Sequence, residues 1–150
     1  MNHPVSIIWF RQDLRLNHNP ALPAACKAQR VLPIYILGDN TAGAYKMGRA
    51  SRWWLHHSLA ALNTSLDHAL NVYRGDAATI IADLCRRFEV QSVFWNRCYE
   101  PYHIAQSKLI KEQLLSQDID AKSINGSLLN EPWSVLKKDE TPYKVFTPYD

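Results

Sequence analysis

The sequence is short of the features that would place it quickly. No stretch approaches the ~20 apolar residues of a membrane-spanning helix. The apolar run Val5 to Phe10 is too short for a secretory signal and has no basic stretch before it. The three cysteines, Cys26, Cys85 and Cys98, are odd in number, irregularly spaced and without a CxxC pair. That argues against a disulfide framework or a zinc site, and the expectation is a cytoplasmic protein with reduced thiols. Charge is nearly balanced, with a net +3, too small an excess to argue nucleic-acid binding. There is no GxGxxG after the first apolar run and no GxxxxGK[ST], so neither a standard dinucleotide site nor a Walker-type cradle is expected. There is no GxSxG nucleophile elbow. His56 and His57 are neighbours on a helical pattern, about 100° apart, and no metal is expected there.

What is present is alternation. Val5–Trp9, Val31–Leu37, Asn71–Arg74, Ser92–Trp95 and Ala121–Asn125 read as strands. Between them lie helical patterns, the first from Pro20 to about Gln29 and the second from Arg49 or Ser51 to His68. On the second, Trp54, Leu55, Leu59, Leu62 and Leu66 share one face. Asp76 suits the N-cap of a third helix, whose apolar stripe is Ala78, Ile81, Ala82, Cys85 and Phe88. Pro101 suits the first turn of a fourth, running to about Gln117. Strands separated by helices pair in parallel through right-handed crossovers. The expected fold is α/β: a doubly wound five-stranded parallel sheet, Rossmann-like or flavodoxin-like, with helices on both faces. If the strand order is 3-2-1-4-5, the ligand crevice lies between strands one and four, beyond their carboxyl ends.

Two polar runs meet there: Phe10-Arg11-Gln12-Asp13 and Asn96-Arg97-Cys98-Tyr99-Glu100. Arg11, Asp13 and Arg15 alternate, which reads either as an ion pair tying a loop to the sheet or as an anion or cofactor site. Glu100 either favours a helix N-terminus or faces a ligand. Residues 127–150 break the pattern, with three prolines and a Lys137-Lys138-Asp139-Glu140 turn, yet carry Trp133, Tyr143, Phe146 and Tyr149. Aromatics in an irregular segment need a surface, on this sheet or on another domain. Of Trp53 and Trp54, one is expected in the core and the other is free to stack on a ligand.

These residues carry a resemblance. Trp9-Phe10-Arg11-Gln12-Asp13-Leu14-Arg15 resembles the WFRxDLR signature that opens DNA photolyases and cryptochromes. Asn19-Pro20-Ala21-Leu22, Val31–Leu37, Gly48–Leu59, Arg74-Gly75-Asp76, Trp95-Asn96-Arg97, Tyr99-Glu100-Pro101-Tyr102, Gly126–Leu129, Glu131-Pro132 and Pro142–Pro148 follow in family order. The resemblance implies the N-terminal α/β domain, which holds a light-harvesting antenna chromophore: 8-hydroxy-5-deazaflavin, FMN or methenyltetrahydrofolate. It implies domain limits of 1–126 for this unit, with 127–150 starting the linker to a helical domain. That second domain would carry the catalytic FAD and engage damaged DNA, repairing cyclobutane pyrimidine dimers under blue light. No catalytic residue is then expected in these 150 residues. By resemblance, the antenna site involves Tyr35, Ile36, Leu37, Gly38, Ser51, Arg52 and Glu100, with Arg11 and Cys98 at the same crevice. Arg52 would meet an anionic tail, and Glu100 would accept from ring N–H groups. Tyr102 and His103 stand where folate-binding members carry Asn-Glu, which leaves the chromophore open. A light-signalling cryptochrome and a stand-alone nucleotide-binding module remain alternatives.

Overall fold

The computed structural model describes residues 3–38 and 46–142. The chain runs β1 (Val5–Phe10), α1 (Ala21–Ala25), β2 (Arg30–Leu37), α2 (Arg49–Ser65), β3 (Asn71–Arg74), α3 (Ala77–Arg87), β4 (Val90–Asn96), α4 (Pro101–Leu115) and β5 (Asp120–Ile124). All pairings are parallel, in the order β3-β2-β1-β4-β5. This is the doubly wound sheet expected from the alternation.

The period of two along β1 sorts its side chains between two cores. Ile7 and Trp9 face α3 and α4, packing with Ile81, Leu84, Ile110 and Leu114. Ile8 and Phe10 face the other way, towards Ala21 and Ala25 of α1 and Leu62 of α2. A strand buried on both faces reads as a continuous apolar run for this reason. Each such side chain contributes about 1.5–3 kcal/mol on burial. In the register Trp9 lies opposite Trp95, and their rings meet edge-on at 5.7 Å.

Pro33 sits in an interior strand, but pairing of β2 with β3 begins one residue later, at Ile34 and Asn71. Pro33 therefore occupies a stretch that is locally an edge, where its missing N–H is harmless.

Three expectations need correction. The first helix is only Ala21–Ala25, because prolines at 20 and 23 fit its opening turn but nothing beyond Ala25 extends the apolar face. The second ends at Ser65 rather than His68. Asp67 and His68 take positive φ, 51° and 63°, and the His68 N–H turns back to the Asn63 carbonyl at 2.8 Å. The apolar faces are also narrower than the spacing implied. Phe88 is 45% exposed, and both Trp53 and Trp54 lie outside the core, 63% and 69% exposed. Trp53 and Trp54 stand in the first turns of α2, whose buried residue is Leu62, and Phe88 is the C-cap of α3, past its last buried residue Cys85. Asp76 caps α3 as expected, accepting from the Thr79 N–H at 2.9 Å.

A cleft at the carboxyl edge of the sheet

The carboxyl ends of β1 and β2 open on a cleft of about 1060 Å³. Its walls come from Trp9–Gln12 at the end of β1 and just after it, Tyr35–Gly38 at the end of β2, Ala50, Ser51, Trp54, Leu55 and Ser58 of α2, and Glu100–His103 with Gln106 at the start of α4. Of the residues singled out in the sequence, Arg11, Tyr35, Ile36, Leu37, Gly38, Ser51 and Glu100 line it together. Arg52 and Cys98 are not among the lining residues. The Arg52 Nε donates to the Met47 carbonyl, just before α2, at 3.2 Å. Cys98 is buried, and burial pushes its thiol up against the opposing pull of Arg11.

The alternating Arg11-Asp13-Arg15 run does not close into a simple ion pair. The chain bends at Arg11 and Gln12 as it leaves β1, and each side chain finds its own partner. Asp13 accepts from the Arg11 main-chain N–H at 2.9 Å, from Asn96 Nδ2 at 2.5 Å and from Asn19 Nδ2 at 3.3 Å. That network, buried at Asp13, Asn19 and Asn96, fixes the loop leaving β1 to the end of β4. Arg15 donates to the carbonyls of His18 and Gly126 at 3.3 and 2.9 Å. Gly126 is required there, since a Cβ would come within 2.8 Å of Asn96 Cγ.

The Arg11 side chain goes to α4. Its Nη1 donates to Ser107 Oγ at 2.5 Å, and its Nη2 to His103 Nδ1 at 2.9 Å and Gln106 Oε1 at 3.0 Å. Its Cζ lies 4.3 Å from the centre of the Trp9 ring, a cation–π contact. Burial lowers the Arg11 pKa, yet a guanidinium stays charged. Because arginine only donates, His103 Nδ1 accepts, and the ring is neutral with its proton on Nε2. Burial first, and the Arg11 charge second, hold His103 below its ordinary value. Glu100 is the N-cap residue of α4 without a side-chain cap; instead it accepts from Gln12 Nε2 at 3.0 Å. That hydrogen bond is the largest cause of its lowered pKa.

The segment after β5 is tied to the loop that follows β4. Arg97 pairs with Glu131 through Nη1 and donates through Nη2 to the Ser123 carbonyl at 3.0 Å. Tyr99 Oη donates to Glu131 at 2.9 Å, and Arg97 lies 5.4 Å from the Trp133 ring centre. Trp133 nevertheless stays 61% exposed. Tyr143, Phe146 and Tyr149 lie outside the described residues.

Spacing could not reveal His103, Gln106 and Ser107 as partners of Arg11, about 95 residues away. Nor did it mark Trp54 as a cleft wall: its phase on α2 pointed to the core. The signal available was the adjacency of two tryptophans, since one helix face cannot bury both.

The fold and cleft define a doubly wound α/β unit with a cofactor-sized cleft at the carboxyl edge of its sheet, the place where sheets of this class take ligands. The DNA photolyase family profile matches residues 6–150, and the chain belongs to that family. It is 43% identical over 147 residues to the deoxyribodipyrimidine photo-lyase of Agrobacterium fabrum, covering 95% of this chain and 30% of that protein. It is 34% identical to cryptochrome-1 of Arabidopsis thaliana, covering 96% of this chain and 22% of that one. The crystal structure of a class III photolyase from Agrobacterium tumefaciens superposes with a TM-score of 0.89 at 40% identity, over 99% of this chain and 31% of that one. An archaeal photolyase from Sulfolobus tokodaii, solved with two FAD molecules and an implied novel light-harvesting cofactor, gives 0.76 at 28% identity, over 89% and 32%. The chain thus spans about a third of these relatives or less. Among the described residues no helix is long and apolar enough to cross a membrane.

Proposed function

We propose that this chain is the light-harvesting unit of a DNA photolyase and holds an antenna chromophore in the cleft. The observation that carries the reading is the cleft's chemistry. Apolar strand-end residues (Tyr35, Ile36, Leu37) and an exposed indole, Trp54, line it together with polar groups such as Glu100 and Ser51. A flat conjugated ring needs two apolar surfaces and a few polar anchors, and the volume is at the upper end of cofactor pockets, about 300–1,000 Å³. Tyr35 and Trp54 would cover the ring faces. Glu100, held ionised by Gln12, would accept from ring N–H groups, and Ser51 would offer a hydroxyl at the start of α2. When bound, such a group absorbs blue light and hands the excitation on without a bond to its acceptor.

The acceptor would be FAD in a helical domain of the parent protein, which would engage damaged DNA and repair cyclobutane pyrimidine dimers in the cytoplasm. In this reading residues 1–126 form the antenna domain and 127–150 begin the linker, its first part held by Glu131. The Arabidopsis relative keeps a signalling cryptochrome as the second reading. An absorbance spectrum of the protein purified from its own host, with mass spectrometry of what it releases, tests the proposal. A near-ultraviolet or blue band from a released deazaflavin, flavin or folate is expected. A colourless protein that also refuses all three when added overturns it.

A further inference from the structure

We infer that the cleft takes a ligand bearing an anionic oxygen and that Arg11 is the counter-ion for it. The inference deepens the chromophore reading and rests on it only for the identity of the ring. Arg11 is 8% exposed and lines the cleft. All three hydrogen bonds its guanidinium makes go to neutral acceptors: the Ser107 hydroxyl, the His103 imidazole and the Gln106 amide. The Nε–H and the second Nη1–H have no acceptor among the described residues.

Neither neighbouring carboxylate hydrogen-bonds the guanidinium, although the charges of both act on it. Asp13 accepts from the Arg11 main chain, Asn19 and Asn96, and one oxygen of Glu100 accepts from Gln12. A guanidinium this buried is normally matched by a carboxylate, because burying an uncompensated charge is costly. Here the Trp9 face gives partial compensation, and the remaining donors are left for something outside the chain. Two further features favour an anion. The cleft lies at the N-terminal end of the fifteen-residue α4, where the helix dipole is positive. Arg15 adds a second cation to the lining. A phosphate arm and an ionised ring oxygen share this chemistry.

The test places an internal competitor beside Arg11. Gln106→Glu keeps the side-chain shape but puts a carboxylate at the acceptor position 3.0 Å from Nη2; Ser107→Asp does the same at Nη1 and is the second variant should the first not fold. Three compounds are titrated into wild type and variant: FMN, riboflavin (the same ring without the phosphate) and 8-hydroxy-5-deazaflavin. Inorganic phosphate is the ring-free arm, read from the ¹⁵N resonance of Arg11 Nε. The carboxylate is expected to weaken anionic ligands about tenfold or more, one charge-assisted hydrogen bond, and to leave riboflavin within about twofold. A loss confined to FMN and phosphate identifies a phosphate; a loss confined to the deazaflavin identifies a ring oxygen. If no ring compound binds but phosphate moves Arg11 and the variant abolishes this, the anion site stands and the chromophore reading falls. Equal effects on charged and neutral ligands, or an Arg11 resonance that no anion moves, overturn the inference.

Discussion

Asn96→Ala should unfasten the edge on which the cleft is built. Asn96 is 4% exposed at the end of β4. Its Nδ2 donates to Asp13 Oδ2 at 2.5 Å and to Asn19 Oδ1 at 2.6 Å, and its Oδ1 accepts from the Ala21 N–H at 3.2 Å. Alanine removes all three. Asp13 keeps two weaker donors, but Ala21, fully buried at the start of α1, loses the acceptor of its main-chain N–H. Each buried group left unpaired costs about 1–3 kcal/mol. With partial relaxation and water entry the sum is about 3–5 kcal/mol, a large part of a typical total of about 5–15. At a urea m-value of about 2 kcal/mol/M the midpoint should fall by about 2 M. Equilibrium unfolding in urea reads this directly, with Gln91→Ala, exposed on the same strand, expected within about 0.5 kcal/mol of wild type. Because Asp13 and Asn96 hold the loop bearing Arg11 and Gln12, ligand affinity should fall in parallel. A midpoint shift under about 0.5 M at unchanged m would refute the claim that this network holds the carboxyl edge together.

Three other outcomes follow from the same geometry. Trp54→Ala should leave the urea midpoint nearly unchanged, since the side chain is 69% exposed, while weakening chromophore binding by about 3–10-fold, the worth of an aromatic stack; unchanged binding by fluorescence titration would remove Trp54 from the site. His103 sits below its ordinary 6.5 in the folded state because of burial and Arg11, so the unfolded chain binds more protons. Its contribution to stability is therefore present above about pH 6.5 and lost as pH falls from there through the folded value. His103→Gln, which keeps an acceptor for Arg11, should flatten that part of the profile, and a slope equal to wild type counts against it. Glu131→Ala removes the partner of both Arg97 and Tyr99, so trypsin should cut after Lys137 or Lys138 several-fold faster, by mass spectrometry of timed digests.

Much of the architecture was readable from local pattern. Continuous apolar runs such as Ile7-Ile8-Trp9 mean burial on both faces, and that in turn means helices on both sides of a parallel sheet. The strand order was reachable by assuming the switch-point topology, and it brought Arg11 and Glu100 to one crevice. Helix ends were less legible, because Asp67 and His68 enter the left-handed region through the hydrogen bonding of Asn63, a contact invisible to periodicity.

By its own residues the sequence determined the α/β class and the family, and it pointed to the strand ends where the cleft lies, since these depend on short-range pattern and ordered motifs. Only the tertiary structure decided which charges are matched. Arg11 and Asp13 are two residues apart and looked like a pair, as they would be in extended chain, but the backbone bends at Arg11 and Gln12 and their side chains part, Asp13 to the asparagines and Arg11 to α4. That separation turns a presumed structural ion pair into a satisfied carboxylate on one side of the loop and, on the other, a buried cation lining the cleft without a carboxylate partner.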